Sequence, residues 1–150
     1  MASDEVIRSF RDLHAWQTAM ELVLLSYGLA KRFPATERFE LSAQVRRSAV
    51  SVPSNLAEGQ SYGSDGRYLH HIRIPQGSLG ELETELEVAK RLGFISPTEY
   101  GEAEDLFRRT GQLLHGLARS VNRRRLQRIA HQTALVILAV IPAAVLYILR

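Results

Sequence analysis

The sequence contains no cysteine. That excludes disulfides, zinc–thiolate sites and cysteine nucleophiles, and it fits a reducing compartment. Residues 1–30 contain no basic flank followed by an apolar run, which argues against a secretory signal peptide. No convincing strand pattern, internal repeat or glycine-rich phosphate loop is present. None of the five histidines has a glutamate three positions before it, which removes the Glu-x-x-His pairs of di-iron bundles. No acid occurs in residues 121–150. What remains is a chain of 150 residues with periodic apolar positions, long enough for one domain with a workable core.

The net charge of +3 hides a division. Residues 1–120 carry 14 Lys and Arg against 16 Asp and Glu, whereas residues 121–150 carry five arginines alone. A basic total of this kind does not by itself point to nucleic acid, because only clustered cations make an electrostatic footprint.

Apolar residues at three- and four-residue steps predict four helices. The first spans roughly 13–32, with Asp12 as N-cap and Leu13, Trp16, Met20, Val23, Leu24 and Tyr27 as its stripe. Phe33-Pro34 ends it, since a residue before proline leaves the α region. The second spans roughly 37–57 with Leu41, Val45, Ala49, Val52 and Leu56 inward; Pro53 lies inside it and predicts a kink. Residues 59–66 read as a loop. The third runs from 64 or 65 to 92 on Leu69, Ile72, Leu79, Leu82, Leu86 and Ala89, with a second kink expected at Pro75 and a C-cap at Gly93. Ser96, Pro97 and Glu99 form a start signal for the fourth, which continues through Ala103, Leu106, Phe107, Thr110, Leu114, Leu117 and Val121. Short connections favour antiparallel neighbours. The expected fold is all-α, an antiparallel up-down four-helix bundle (residues 10–122) behind a flexible N-terminus (1–9), followed by a basic linker and an extra apolar C-terminal helical tail (123–150).

Several spaced motifs resemble one family. Phe10-Arg-Asp-Leu-His-Ala-Trp-Gln17 opens the match, which continues through Phe33-Pro34, Glu37 and Gln44-Val-Arg-Arg47. Ser51-Val-Pro-Ser-Asn-Leu-Ala-Glu-Gly59 is its most specific part, and Gly77-Ser78-Leu79 with Glu81-Leu82-Glu83 extends it. Together these resemble the "four helix bundle protein" family, also called the 23S rRNA intervening-sequence proteins, which are similar to accessory proteins of diversity-generating retroelements. The resemblance covers roughly residues 10–120. It implies a four-helix bundle assembled as a homopentamer, no enzyme activity and no cofactor, and for some relatives a basic surface that engages RNA or DNA. Ile74-Pro75-Gln76 departs from the family pattern, and the tail after about Val121 lies outside it.

Candidate residues divide by chemistry. Arg46 and Arg47, side by side on the second helix, and Arg123, Arg124, Arg125 and Arg128 are the expected phosphate contacts, because guanidinium pairs with phosphate in two-pronged geometry. The competing reading of Arg46 and Arg47 is a solvated face of Arg–Glu pairs. Pro53, Asn55, Glu58 and Gly59 form a structural motif at the end of the second helix, expected to repair backbone groups freed by Pro53 and to cap the helix. Glu81, Glu83, Glu85 and Glu87, with Glu99, Glu102 and Asp105 opposite, read as a solvated acidic face rather than a metal site. No catalytic residue is expected. Residues 129–149 are predominantly apolar but interrupted by His131, Gln132 and Thr133; the run Ala134 to Leu149, without a charged or strongly polar side chain, is at the short end of a membrane-spanning length. Three readings stay open for them: a membrane anchor with its arginines on the cytoplasmic face, a helix buried in an oligomer, and a non-native extension. The expected location is cytoplasmic, with the anchor reading adding a tether to the inner face of a membrane. The leading expectation is a homo-oligomeric, non-enzymatic bundle that binds nucleic acid; the alternative is a membrane-tethered assembly module with no nucleic-acid role.

Overall fold

A computed structural model describes residues 7–148, without the side chains of Ala139 and of residues 142–148. The described residues are all-helical: α1 (His14–Ala30), α2 (Leu41–Ser61), α3 (Asp65–Arg91) and α4 (Pro97–Ile148), with short 3-10 turns at Phe10–Asp12 and Ala35–Phe39. Helix α2 packs on α1 and α3, and α4 packs on α3 and α1, closing the bundle. This packing is compatible with the up-down order expected of short connections.

Local signals explain most helix ends. The Ser96 hydroxyl accepts from Glu99 N (3.2 Å) while the Glu99 carboxylate accepts from Ser96 N (2.7 Å), a reciprocal capping box. Gly93 adopts φ +75° after α3, and Phe94 N donates to Ala89 O at 2.9 Å, which satisfies a carbonyl the helix leaves open. Asp12 acts differently from the expectation. Its carboxylate accepts from Arg8 N and Ser9 N at 2.9 and 2.8 Å, so it closes the preceding 3-10 turn; Leu13 holds the N-cap position of α1 without a side-chain bond. The residues just before α2 form the 3-10 turn Ala35–Phe39, so α2 itself begins at Leu41. Its far end reaches Ser61, which leaves only Tyr62 to Ser64 between α2 and α3 instead of a loop over 59–66. Gly63, with φ +59°, makes that turn.

Both internal prolines are buried, and α2 and α3 run helical through them. Each ring fills core space while its missing N–H leaves one carbonyl a turn earlier without its usual donor. The expected stripes of the second, third and fourth helices match the core: Val45, Ala49, Val52, Leu56, Ile72, Leu79, Leu82, Leu86, Ala89, Ala103, Phe107, Leu114 and Val121 are buried.

Helix α1 is the exception. Its buried face is Ala15, Thr18, Ala19, Leu22, Val23, Ser26, Leu29 and Ala30, while Leu24 is 71% exposed and Tyr27 44%. The core-facing side mixes Leu22, Val23 and Leu29 with five small residues that let neighbouring helices approach, and hydropathy alone assigns the inward role to bulkier side chains such as Leu24 and Tyr27 instead. Helix α4 also differs from the expected linker and separate tail. It passes residues 122–123 without a break, and Val121 is its last buried residue among those described.

Helices α2 and α3 cross closely at Gly59. A Cβ there would lie 2.6 Å from His71 Cβ and 2.9 Å from Tyr68 Cδ2. Gly59→Ala should therefore destabilise by about 1–3 kcal/mol through overpacking, outweighing the roughly 0.5–1 kcal/mol that alanine gains in a helix. Thermal unfolding followed by circular dichroism should show a lower Tm.

At the other end of the same interface, Ser48 donates to Glu85 Oε1 at 3.0 Å, and Glu85 Oε2 is buried without a partner. Burial holds the Glu85 carboxyl above its ordinary range, opposed by the Ser48 hydrogen bond and by Arg47. The folded state thus binds this proton more tightly than the unfolded chain, and the associated stability is present at low pH and lost as pH rises. Glu85→Gln should raise Tm at pH 7, with the difference closing as pH falls toward about 4.

Candidate nucleic-acid interface

The charge division in the sequence becomes a division in space. Eight of the 16 acids fall within residues 81–105, which are the second half of α3 and the first turns of α4. The opposite stretches, the start of α3 and residues 106–128 of α4, carry Arg67, Arg73, Arg108, Arg109, Arg119 and Arg123 to Arg125 with Arg128. The Gln76 amide lies 3.1 Å from His115 Nδ1 across the two helices, so residues near 73 and near 119 share one end. The mildly acidic balance of residues 1–120 therefore averages over an acidic end and a basic end.

A groove of about 430 Å³ runs between α3 and α4 at this basic end. Arg73, Arg119 and Arg125 line it with His70, His115 and Asn122, and no acid lines it. Arg73, Arg119 and Arg125 are exposed, so each keeps donors for an incoming oxyanion. Sequence reading singled out Arg125 and missed Arg73 and Arg119. Each is an isolated cation in the chain; they meet because 73 and 119 lie on facing turns of different helices.

The six arginines named from sequence separate into different surroundings. Arg46 is part-buried, with Nη2 3.5 Å from Ala30 O and its guanidinium 5.8 Å from the Tyr27 ring centroid. It ties α2 to the end of α1. Arg47 is exposed and near enough to Glu85 to oppose, in small part, the rise that burial gives its carboxyl. These two border a shallow face with Tyr27, Ala43 and Val50, apart from the α3–α4 groove. Arg123 is exposed on α4. Arg124 and Arg128 turn toward the start of α3, where Arg128 Nη1 and Arg124 Nη2 lie 3.3 and 4.0 Å from the Asp65 carboxylate.

The motif at the end of α2 has local partners throughout. Pro53 is core. Asn55 Nδ2 donates to Ser51 O at 2.9 Å and to Ser51 Oγ at 3.2 Å, so it braces Ser51 rather than the Ala49 carbonyl that Pro53 frees. Ser51 Oγ in turn lies 2.8 Å from Ser78 Oγ on α3. Glu58 accepts from the Tyr62 hydroxyl at 2.7 Å and faces His71 Nδ1 at 3.9 Å. That hydrogen bond, with the Glu58 charge, raises the Tyr62 hydroxyl above its ordinary value. Gly59 supplies the close crossing and does not cap the helix.

Residues Gly59-Gln-Ser-Tyr-Gly63 match the letters of a Gly-x-Ser-x-Gly pattern. The nucleophile elbow needs a strand running into a sharp turn. Here Ser61 ends a helix and donates to Glu58 O at 2.7 Å. Among the described residues no group of three or more His, Cys, Asp or Glu could hold a metal ion. Glu87 pairs instead with Lys90 and Arg91, and Glu99 with Arg32 just past the end of α1.

Beside the groove, where α2 ends and α3 begins, lies a second cavity of about 270 Å³ with Asp65, Tyr68, Arg124 and Arg128 in its lining. Tyr68 is 8% exposed, and its hydroxyl has no hydrogen-bond partner. Burial pushes that hydroxyl up to about 12, against the opposing charge of Arg124, so it remains a proton donor at neutral pH.

The tail of α4 carries Leu135, Val136, Ile137, Leu138, Val140 and Ile141 exposed. Among the described residues no helix is long and apolar enough to cross a membrane. Of the expected apolar segment over 129–149, residue 149 lies outside the described residues, and the side chains of Ala139 and of 142–148 are not described.

Known proteins place the chain. A structure titled as a protein of unknown function from the S23 ribosomal protein family, from Bacteroides thetaiotaomicron, is similar at a TM-score of 0.65 and 21% identity, over 70% of this chain and 95% of that one. At that identity the likeness concerns the fold. No curated protein matches the chain. The sequence profile of the 23S rRNA-intervening sequence proteins matches residues 11–116, a span that contains the Ser51–Gly59 motif, and the chain belongs to that family.

Proposed function

We propose that the protein is a non-enzymatic, self-assembling up-down helical bundle that binds nucleic acid at the end where α3 starts and α4 leaves the core. The observation that carries this reading is the acid-free groove of Arg73, Arg119 and Arg125. Three arginines converging from two helices, beside Arg123, Arg124 and Arg128 on the same helix, give a phosphate chain several contacts at once. Such contacts position a nucleic acid and confer steep salt dependence, whatever its sequence. Arg46 and Arg47 lie on another face and contribute to assembly in this reading.

Assembly draws on the exposed apolar side chains of the α1–α2 surface. Leu24 is 71% exposed, Tyr27 44%, Phe39 84% and Val50 38%. Large apolar side chains left outward on two neighbouring elements suit burial against another copy. The pentamer implied by the sequence resemblance is the expected closed form.

A second reading, a membrane-tethered assembly module, draws on the apolar side chains exposed on α4 beyond its arginines. Cations followed by an apolar helical end suit an anionic bilayer.

The test is binding of a structured RNA by fluorescence anisotropy across a salt series. Wild type should bind with affinity that falls steeply with salt, and the double substitution Arg73→Glu and Arg119→Glu should weaken it at least tenfold and reduce the salt slope by roughly two. An unchanged affinity would remove the groove from the interface. No binding at low salt, together with co-sedimentation on anionic vesicles, would favour the second reading. Independently, Leu24→Asp should shift the assembly toward smaller species in analytical ultracentrifugation while helicity is retained.

A further inference from the structure

The cavity at the junction of α2, α3 and α4 has a chemistry distinct from the open groove. Its polar lining includes Ser64, Asp65, Tyr68, Ser120, Arg124 and Arg128. Two of its polar atoms, the Tyr68 hydroxyl and Asp65 Oδ2, are buried without a hydrogen bond. Arg128 stands 3.3 Å from that carboxylate oxygen, close enough for an ion pair but not aligned as a hydrogen bond. Buried polar groups are normally satisfied, and two orphans in one cavity ask for a partner carrying both donors and acceptors.

The remaining features narrow that partner. Arg124 and Arg128 keep 53% and 67% of their side chains exposed despite facing Asp65, so both retain N–H groups for an oxyanion. The cavity shares Ile7, Leu13, Leu117 and Ser120 with an adjoining cleft of about 420 Å³. That cleft is walled by Leu13, Leu113 and Leu117, with Asp12, His14 and Gln112 at hand, the Asp12 carboxylate already accepting from Arg8 N and Ser9 N. An apolar slot flanked by an amide and an imidazole suits a flat heterocycle. Two exposed arginines, a buried hydroxyl and carboxylate, and an apolar slot thus line two adjoining cavities.

We propose that this joint cavity takes one ribonucleotide unit, as a free ribonucleoside monophosphate or as a residue of an RNA chain. The phosphate sits on Arg124 and Arg128, the ribose hydroxyls meet Asp65 and Tyr68, and the base enters the cleft beside Leu117. The RNA case rests on the nucleic-acid reading above and deepens it, because a 2′-hydroxyl is what separates RNA from DNA at such a site. Asp65 serves as hydroxyl acceptor and as the group that holds the two arginines near the cavity.

Tyr68→Phe is the informative variant, since the hydroxyl it removes bonds nothing in the free protein; an unchanged Tm checks this. The full chain is titrated with single-stranded RNA and DNA of one sequence, and separately with adenosine monophosphate and its 2′-deoxy form by calorimetry. Wild type should favour RNA by about tenfold, the worth of one good hydrogen bond. Tyr68→Phe should bring the two polymers to near parity while leaving DNA affinity unchanged. Equal binding of RNA and DNA by wild type overturns the ribose site and leaves the nucleic-acid reading standing, and so does a preference that Tyr68→Phe does not alter. If neither polymer binds, the nucleic-acid reading falls and the monophosphates decide. A preference for the ribo form that Tyr68→Phe abolishes then supports a free-nucleotide site, and its absence overturns the proposal.

Discussion

The close crossing of α2 over α3 at Gly59 is the constraint on which the functional end of the molecule depends. With no Cβ at that position, His71 and Tyr68 come to within contact of the α2 backbone, and the turn Tyr62–Ser64 can be as short as it is. The start of α3 is thereby fixed against the end of α2, with Tyr68 buried and Asp65 directed at α4. Helix α4 then passes the same point with Arg124 and Arg128 facing Asp65. A wider crossing would move α3 outward and separate the acid from its two arginines. Interiors packed to crystal density do not absorb such shifts cheaply.

Polar links along α2 and α3 keep the two helices in register. Asn55 braces Ser51, which meets Ser78, and Ser48 bonds Glu85. Such bonds contribute modestly one by one. Their effect is positional: a slide of α3 by one residue would break them together, and would carry Arg73 away from Arg119. The basic groove is therefore a consequence of helix register as much as of composition.

Helix α4 connects the parts. Its first turns belong to an acidic end, its middle closes the core at Leu114 and Val121, and its arginines then continue past the bundle on the same helix. Because no break separates these segments, cations on α4 keep fixed angular positions relative to α3. Arg119 and Arg125 fall on the side of Arg73, and Arg124 and Arg128 on the side of Asp65. A flexible linker at residues 122–123 would have scattered them.

By itself the sequence determined the number of helices, the inward faces of α2, α3 and α4, the Ser96–Glu99 start signal and the Gly93 stop. Each depends on spacing or on a few adjacent residues, which a linear reading captures. It also carried the Ser51–Gly59 motif that marks the family. Tertiary structure decided the rest. The inward face of α1 sets Ala15, Thr18, Ala19, Ser26 and Ala30 beside Leu22, Val23 and Leu29, and the burial of the small residues depends on how near the neighbouring helices come and not on their own hydropathy. Asp12 turned back onto Arg8 and Ser9, a choice between two nearly equal sets of N–H donors. Most importantly, Arg73 and Arg119 became neighbours, as did Asp65 and Arg128, only because α3 and α4 pack side by side at one register. Pairings between residues about 46 and 63 positions apart are set by the sum of core contacts between helices, and no local pattern contains that sum.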